Sequence, residues 1–497
     1  MSSDPIPDAL SMAVRRGARW IVAGQLASQL ISLLALAALY RLIAPEAFGL
    51  FGMAIPFVMV PRTLATLGLS AAAVQRHELT DDERALLFWM QAALGVLVTC
   101  GTYLIAGPAA NWYGVAEVAP LIQALAATVF VASLAATHQA LFERRLQLPR
   151  VTVVRIVGQI LGAILAVLAA WHGWGTRALV VQQYGELIAL VLASWIADPW
   201  LPRWPRLRTG AWRELVAFSS LYSLSSLIFV VTQNIDKLLL GLWLGDTPAG
   251  QAIIGAYTQA YNLMMRCVYV VTTPMTGILL SSLSRATTNA ARFVELTTNA
   301  YRLTANLMLP ASVGLWLVAV DAMRVLGGPE WTDAGILLSA LAPVIAMQGW
   351  INLCGSVLAA RGKAALLCFG AVMLLLVSTQ AMVVGYFAGQ QLWPAPLGPA
   401  LGVAYGLAIG TTVILGLPYV MTTFAAAGVP ARAVVSASLP ALRASLLMGL
   451  VVALVQWSLH GATPGVRLTF SIAAGIASYA LLSRGELVWL RRIGQTH

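Results

Sequence analysis

Charge is what this chain has least of. Charged residues fill 10% of its 497 positions, against about a quarter in an ordinary soluble domain. No long polar stretch separates the apolar ones, so a string of soluble domains is excluded. The four cysteines, Cys100, Cys267, Cys354 and Cys368, all lie in apolar runs without CxxC spacing. They read as small core residues, and neither a disulfide framework nor a thiolate metal site is supported. The five histidines are scattered and no HExxH occurs. There is no GxxxxGK[ST] loop to cradle a nucleotide and no G-x-S-x-G nucleophile turn. Acidic residues never concentrate as a metal-dependent glycosyl or phosphoryl transferase requires. The expectation is therefore no enzyme, no cofactor and no metal. The net charge of +11 comes almost entirely from arginine. Aromatic-spaced basic stretches are missing, so nucleic acid is not an expected partner. The basic residues sit instead in short hydrophilic breaks, where they suit anionic lipid and membrane topology.

What is present is apolar length. Hydrophobic residues make up 59% of the chain and its mean hydropathy is +0.81. The fold class this implies is all-α and polytopic. A span needs about 20 apolar residues, and about fourteen segments meet that standard. They are Trp20–Tyr40, Phe48–Leu69, Ala85–Ala106, Val118–His138, Val151–Trp171 and Ala178–Ala197, then Leu215–Leu244, Ile253–Leu283, Phe293–Val320, Ala334–Ala360, Ala364–Ala388, Ala400–Ala427, Ala433–Leu459 and Arg467–Trp489. The opening MSSDPIPDALSMAVRRGARW carries no convincing cleavage site and leads into a retained first span. Alternate breaks differ sharply in arginine. One set holds clusters such as Arg15, Arg16 and Arg19, or Arg144, Arg145 and Arg150, while the other holds Arg41, Arg177, Arg324 and Arg467. With an even count, that asymmetry predicts both termini in the cytoplasm.

The proline-rich DPWLPRWPRLRTGAWRE suggests a linker at 198–214 between a lobe at 1–197 and a second at 215–427, with 428–497 forming two further spans and a cytoplasmic tail. An internal echo agrees. IAPEAFGLFGMA follows the first span and LGDTPAGQAIIGAYTQA the seventh, each an acidic turn before Gly-x-aromatic. Repeated units of this kind suit a transporter.

The chemistry lies in polar residues at membrane depth, where a charge costs about 2.5–3.5 kcal/mol on insertion scales. Arg62, Glu186, Asp236, Lys237 and Arg266 all fall inside predicted spans. Gln259, Asn262 and Arg266 recur at helical spacing, as do Gln25, Ser28, Gln29 and Ser32. Such stripes should face one another or water. Each also has a plainer reading. Glu186 could pair with Arg155, Lys237 could snorkel outward, and Gln25 and Gln29 could join helices. Asp236 and Lys237, being adjacent, point about 100° apart. Gly158 and Gly162 read as helix packing.

LYRLIAPEAFGLFGMAIPF, GLSAAAVQRHELTDDERALLFWMQAALG and TQNIDKLLLGLWLG…IGAYTQAYNL together resemble the Wzx-type oligosaccharide flippases of the multidrug/oligosaccharidyl-lipid/polysaccharide exporter (MOP) superfamily. The resemblance implies two six-helix lobes and two C-terminal helices. It also implies flipping of undecaprenyl-diphosphate-linked oligosaccharide, from the cytoplasmic to the periplasmic leaflet of a bacterial inner membrane, for exopolysaccharide or O-antigen assembly, with a polysaccharide polymerase or export complex as a candidate partner. Arg62, Lys237 and Arg266 would meet the anionic headgroup, and Gln25, Gln29, Gln259 and Asn262 the sugar hydroxyls. Asp236 or Glu186 could couple an ion. The rivals are a multidrug cation antiporter of the same superfamily and a membrane polysaccharide polymerase or ligase.

Overall fold

A computed structural model describes residues 24, 27–75, 80–145, 147–204 and 227–486. Among the described residues the secondary structure is helical, with no strand. Eleven helices are long and apolar enough to cross a membrane, or up to thirteen if each of two bent pairs is one span. The chain divides into two compact units, Met1–Asp246 and Thr247–His497. Residues 198–204, the described part of the proline-rich segment, fall within the first.

The first unit holds α1 (Ala27–Leu42) and then α2 (Pro45–Ala54), α3 (Pro56–Gln75), α4 (Asp81–Tyr113), α5 (Val118–Arg144), α6 (Leu148–Trp171), α7 (Thr176–Ala197) and α8 (Ile235–Leu244). The 119° bend between α1 and α2 is a turn: Pro45 opens α2 at a position where its missing N–H costs nothing,. α2 runs on toward α3, since Ile55 keeps helical φ and ψ and its amide still donates to Phe51 O. α4 starts at a capping box, Thr80 with Glu83, and stops at Gly114, whose φ of 69° is left-handed,. α6 and α7 pack through the GxxxG pair. A Cβ on Gly162 would lie 2.9 Å from Glu186 Cβ, and one on Gly158 would lie 2.8 Å from Glu186 O. The packing reading of that pair is what the structure shows. α8 packs on the first unit, where Gly241 meets the Tyr113 ring.

The second unit holds α9 (Pro248–Arg285), α10 (Ala290–Gly327), α11 (Thr332–Leu341), α12 (Val344–Ala360), α13 (Ala364–Leu392), α14 (Leu397–Ile409), α15 (Gly416–Ala427), α16 (Ala431–Ser458) and α17 (Pro464–Leu482). The sequence echo reappears as local structure, because α9, like α2, opens with proline at its first position. Thr247 caps it by accepting from Gly250 N. A 53° bend joins Pro329–Leu341 to Val344–Ala360, at Pro343. A tight core forms around Phe293, Tyr301, Leu353, Cys354 and Phe424.

Candidate functional site

The opening turn of α8 places an acid and a base side by side in the first unit. The helical span Leu227–Leu244 is interrupted at Gln233 and Asn234, which breaks the i→i−4 ladder. Lys237 N donates to Asp236 Oδ1 at 2.8 Å, while Lys237 Nζ donates to the Gln233 carbonyl at 3.0 Å and lies 3.4 Å from Asp236 Oδ1. Both side chains are buried, Asp236 at 1% exposure and Lys237 at 3%. The outward-snorkelling reading of Lys237 is thereby corrected. Its four-carbon stem folds back far enough to cross the angle that separates adjacent residues. Asp236 Oδ2 is buried with no hydrogen-bond partner among the described residues.

Arg62 is half-buried on α3, with Nη2 2.8 Å from Met59 Sδ. Glu186 on α7 is the acid whose charge reaches it, whereas Arg155 is exposed on α6. Gln29 is half-buried on α1. Its neighbour Ser28 donates to Gln159 Oε1 on α6 at 2.5 Å, so part of this stripe joins helices. Gln25 lies outside the described residues.

In the second unit Gln259 is buried while Asn262 and Arg266 are half-buried, all on α9. Tyr257 and Tyr261 stack beside them at 6.4 Å. Further along α9, Thr272 accepts from Asn352 Nδ2 at 3.2 Å, and Asn352 Oδ1 accepts from Gln348 Nε2 at 3.0 Å. Thr272 stands about 120° around the helix from Arg266, so α12 covers a different side of α9 from the Gln259–Asn262–Arg266 stripe.

Sequence reasoning missed two clasps within this unit. Arg302 on α10 holds Glu486 with two bonds of 2.7 Å, joined by Asn306 Nδ2 at 3.0 Å. At the other end of α10, Asp321 is bound by Arg467 through both oxygens and by Gln456 Nε2 at 3.1 Å. The two sites are about 28 Å apart along α10 at 1.5 Å per residue. That is close to the thickness of a hydrocarbon core. A hint was available: Arg467 opens the last predicted span and Asp321 ends the ninth, in breaks assigned to one side.

The comparisons with known proteins agree with this architecture. The model of the family described as polysaccharide biosynthesis protein matches residues 38–335. The chain is 24% identical over 387 residues to the succinoglycan biosynthesis transport protein ExoT of Rhizobium meliloti, covering 77% of this chain and 76% of ExoT. It is 24% identical over 369 residues to the lipopolysaccharide biosynthesis protein WzxC of Escherichia coli, covering 70% of each. Among solved structures, lipid II flippase MurJ in an inward closed conformation shares the fold with a TM-score of 0.74 at 13% identity, over 95% of this chain and 99% of that one. An inward-facing multidrug resistance MATE family transporter of the MOP superfamily has a TM-score of 0.63 at 14% identity, over 83% and 100%. This multi-pass membrane protein belongs to the polysaccharide biosynthesis protein family.

Proposed function

We propose that the protein flips undecaprenyl-diphosphate-linked oligosaccharide repeat units from the cytoplasmic to the periplasmic leaflet of a bacterial inner membrane, for exopolysaccharide or O-antigen assembly. The observation that carries this reading is the set of cations at membrane depth, Arg62, Lys237 and Arg266, beside amides, in a chain whose relatives are named as a succinoglycan biosynthesis transport protein and a lipopolysaccharide biosynthesis protein. A diphosphate needs partners that stay charged, and guanidinium groups do so at every relevant pH. Gln25, Gln29, Gln259 and Asn262 bind sugar hydroxyls. Alternating access moves the headgroup while the lipid tail stays in the bilayer, and a proton or sodium ion couples through Asp236 or Glu186. The lobes are 1–197 and 215–427, linked by 198–214 and followed by 428–497. The proposed topology has fourteen spans, against the eleven to thirteen that are long and apolar enough among the described residues. The arginine asymmetry then puts both termini in the cytoplasm.

Arg62→Ala and Arg266→Ala should each lower polymer export at least about ten-fold, the loss of one charge-assisted hydrogen bond. The lipid-linked repeat unit should accumulate on the cytoplasmic leaflet. The double substitution Asp236→Asn, Lys237→Gln should fold and still fail to export. Unchanged export in both arginine variants sinks the cationic reading.

A further inference from the structure

The outer face of α16 carries charge that nothing among the described residues answers. Arg432 and Arg443 are both exposed and, eleven residues apart, they share one helix face. Neither has an ion pair or side-chain hydrogen bond among the described residues. The helix contains no acidic residue. The nearby acid Glu486 is held by Arg302, and Glu295 by Arg292. Beyond Arg443 the same face turns wholly apolar: Leu447, Leu450 and Leu454 are 48%, 63% and 64% exposed. Beside the cationic half runs a crevice of about 180 Å³, lined by Leu309, Trp350, Val435, Ser438, Leu439 and Leu442.

The depth of Arg443 follows from its neighbours. Ser445, two residues on, lies beside Tyr479, and Tyr479 donates to the Asn306 carbonyl at 2.8 Å. Asn306 belongs to the Arg302–Glu486 clasp. Arg443 therefore stands level with that clasp, at one edge of the apolar band that the two clasps bracket. A guanidinium there, facing lipid, is stabilised by phosphate. The leucines above it give an acyl chain a surface to lie on.

We propose that this face of α16 is a binding site for an anionic glycerophospholipid, its phosphate held by Arg443, with Arg432 about 16 Å further along the helix adding its positive field, and one acyl chain laid along Leu447, Leu450 and Leu454. The proposal stands whichever lipid-linked sugar the protein carries. The full-length protein, purified in a neutral detergent, is titrated with phosphatidylglycerol, with phosphatidylcholine and with undecaprenyl phosphate, and its unfolding temperature is followed. Phosphatidylglycerol should stabilise it at lower concentration than phosphatidylcholine. In Arg432→Gln, Arg443→Gln the half-maximal phosphatidylglycerol concentration should rise about five-fold per cation, about 25-fold in all at low salt. Arg432→Lys, Arg443→Lys should keep the preference, so a glutamine pair that fails to fold leaves a readable variant. The site is refuted if phosphatidylglycerol and phosphatidylcholine act alike, if the glutamine pair keeps the wild-type preference, or if Arg285→Gln, Arg292→Gln abolishes it equally. An effect from undecaprenyl phosphate alone overturns the assignment to bilayer lipid.

Discussion

Two buried ion pairs, one in each unit, are built in opposite ways. Asp236 and Lys237 are neighbours on one helix, and their pair lies within that helix. It leaves Asp236 Oδ2 without a hydrogen-bond partner among the described residues. Asp321 and Arg467 come from α10 and α17, and Gln456 from α16 completes the carboxylate's partners. The first arrangement keeps an acid and a base side by side inside a broken helix. The second is closed, and it fastens the last two helices to α10. Burial alone does not say what a charge holds together; the origin of its partners does.

The largest test of that contrast is to open the closed pair. Arg467→Ala leaves Asp321, 2% exposed, as an uncompensated buried charge and should cost about 3–5 kcal/mol. Asp321→Leu with Arg467→Leu should recover most of that loss. Unfolding curves in detergent measure both, and additive losses would argue against a direct pair. A similar contrast concerns glycines in the first unit. Gly162→Ala pushes a methyl group within 2.9 Å of Glu186 and should cost about 2 kcal/mol. Gly107→Ala meets nothing within 4 Å and should gain up to about 1 kcal/mol from helix propensity. The same melts report both changes.

The smallest effect is on pH dependence. Burial alone would push the Glu486 carboxyl up, but the bonds from Arg302 and Asn306 and the Arg302 charge outweigh it and hold the carboxyl below its ordinary value of 4.5. A depressed carboxyl contributes stability that is fully present above its unfolded-state value and is lost as pH falls through the folded one. The unfolding temperature should therefore drop below about pH 4.5. Glu486→Gln should flatten that drop and, at neutral pH, cost about 2 kcal/mol.

Much of this was legible in the chain. The spans follow from apolar length, and the predicted Ala334–Ala360 reappears as a bent helix pair, its bend at Pro343. The GxxxG packing was readable because two glycines four residues apart leave a flat helix face. The snorkelling alternative for Lys237 fails because spacing fixes where a side chain leaves the backbone and not where a long one ends. Glu486 and Asp321 passed unnoticed because each partner lies more than a hundred residues away. Arg443 falls inside the predicted span Ala433–Leu459, and helical spacing alone does not tell a lipid-facing arginine from an inward one.

The sequence by itself determined that this is a helical membrane protein with its cations gathered in alternate breaks, because hydrocarbon selects for apolar length and the membrane for charge sidedness. Only the tertiary structure decided which buried charges are answered and by what. A charge's partner is set by helices meeting in space, and residues such as Arg302 and Glu486 become neighbours only when α10 and the end of the chain are packed together.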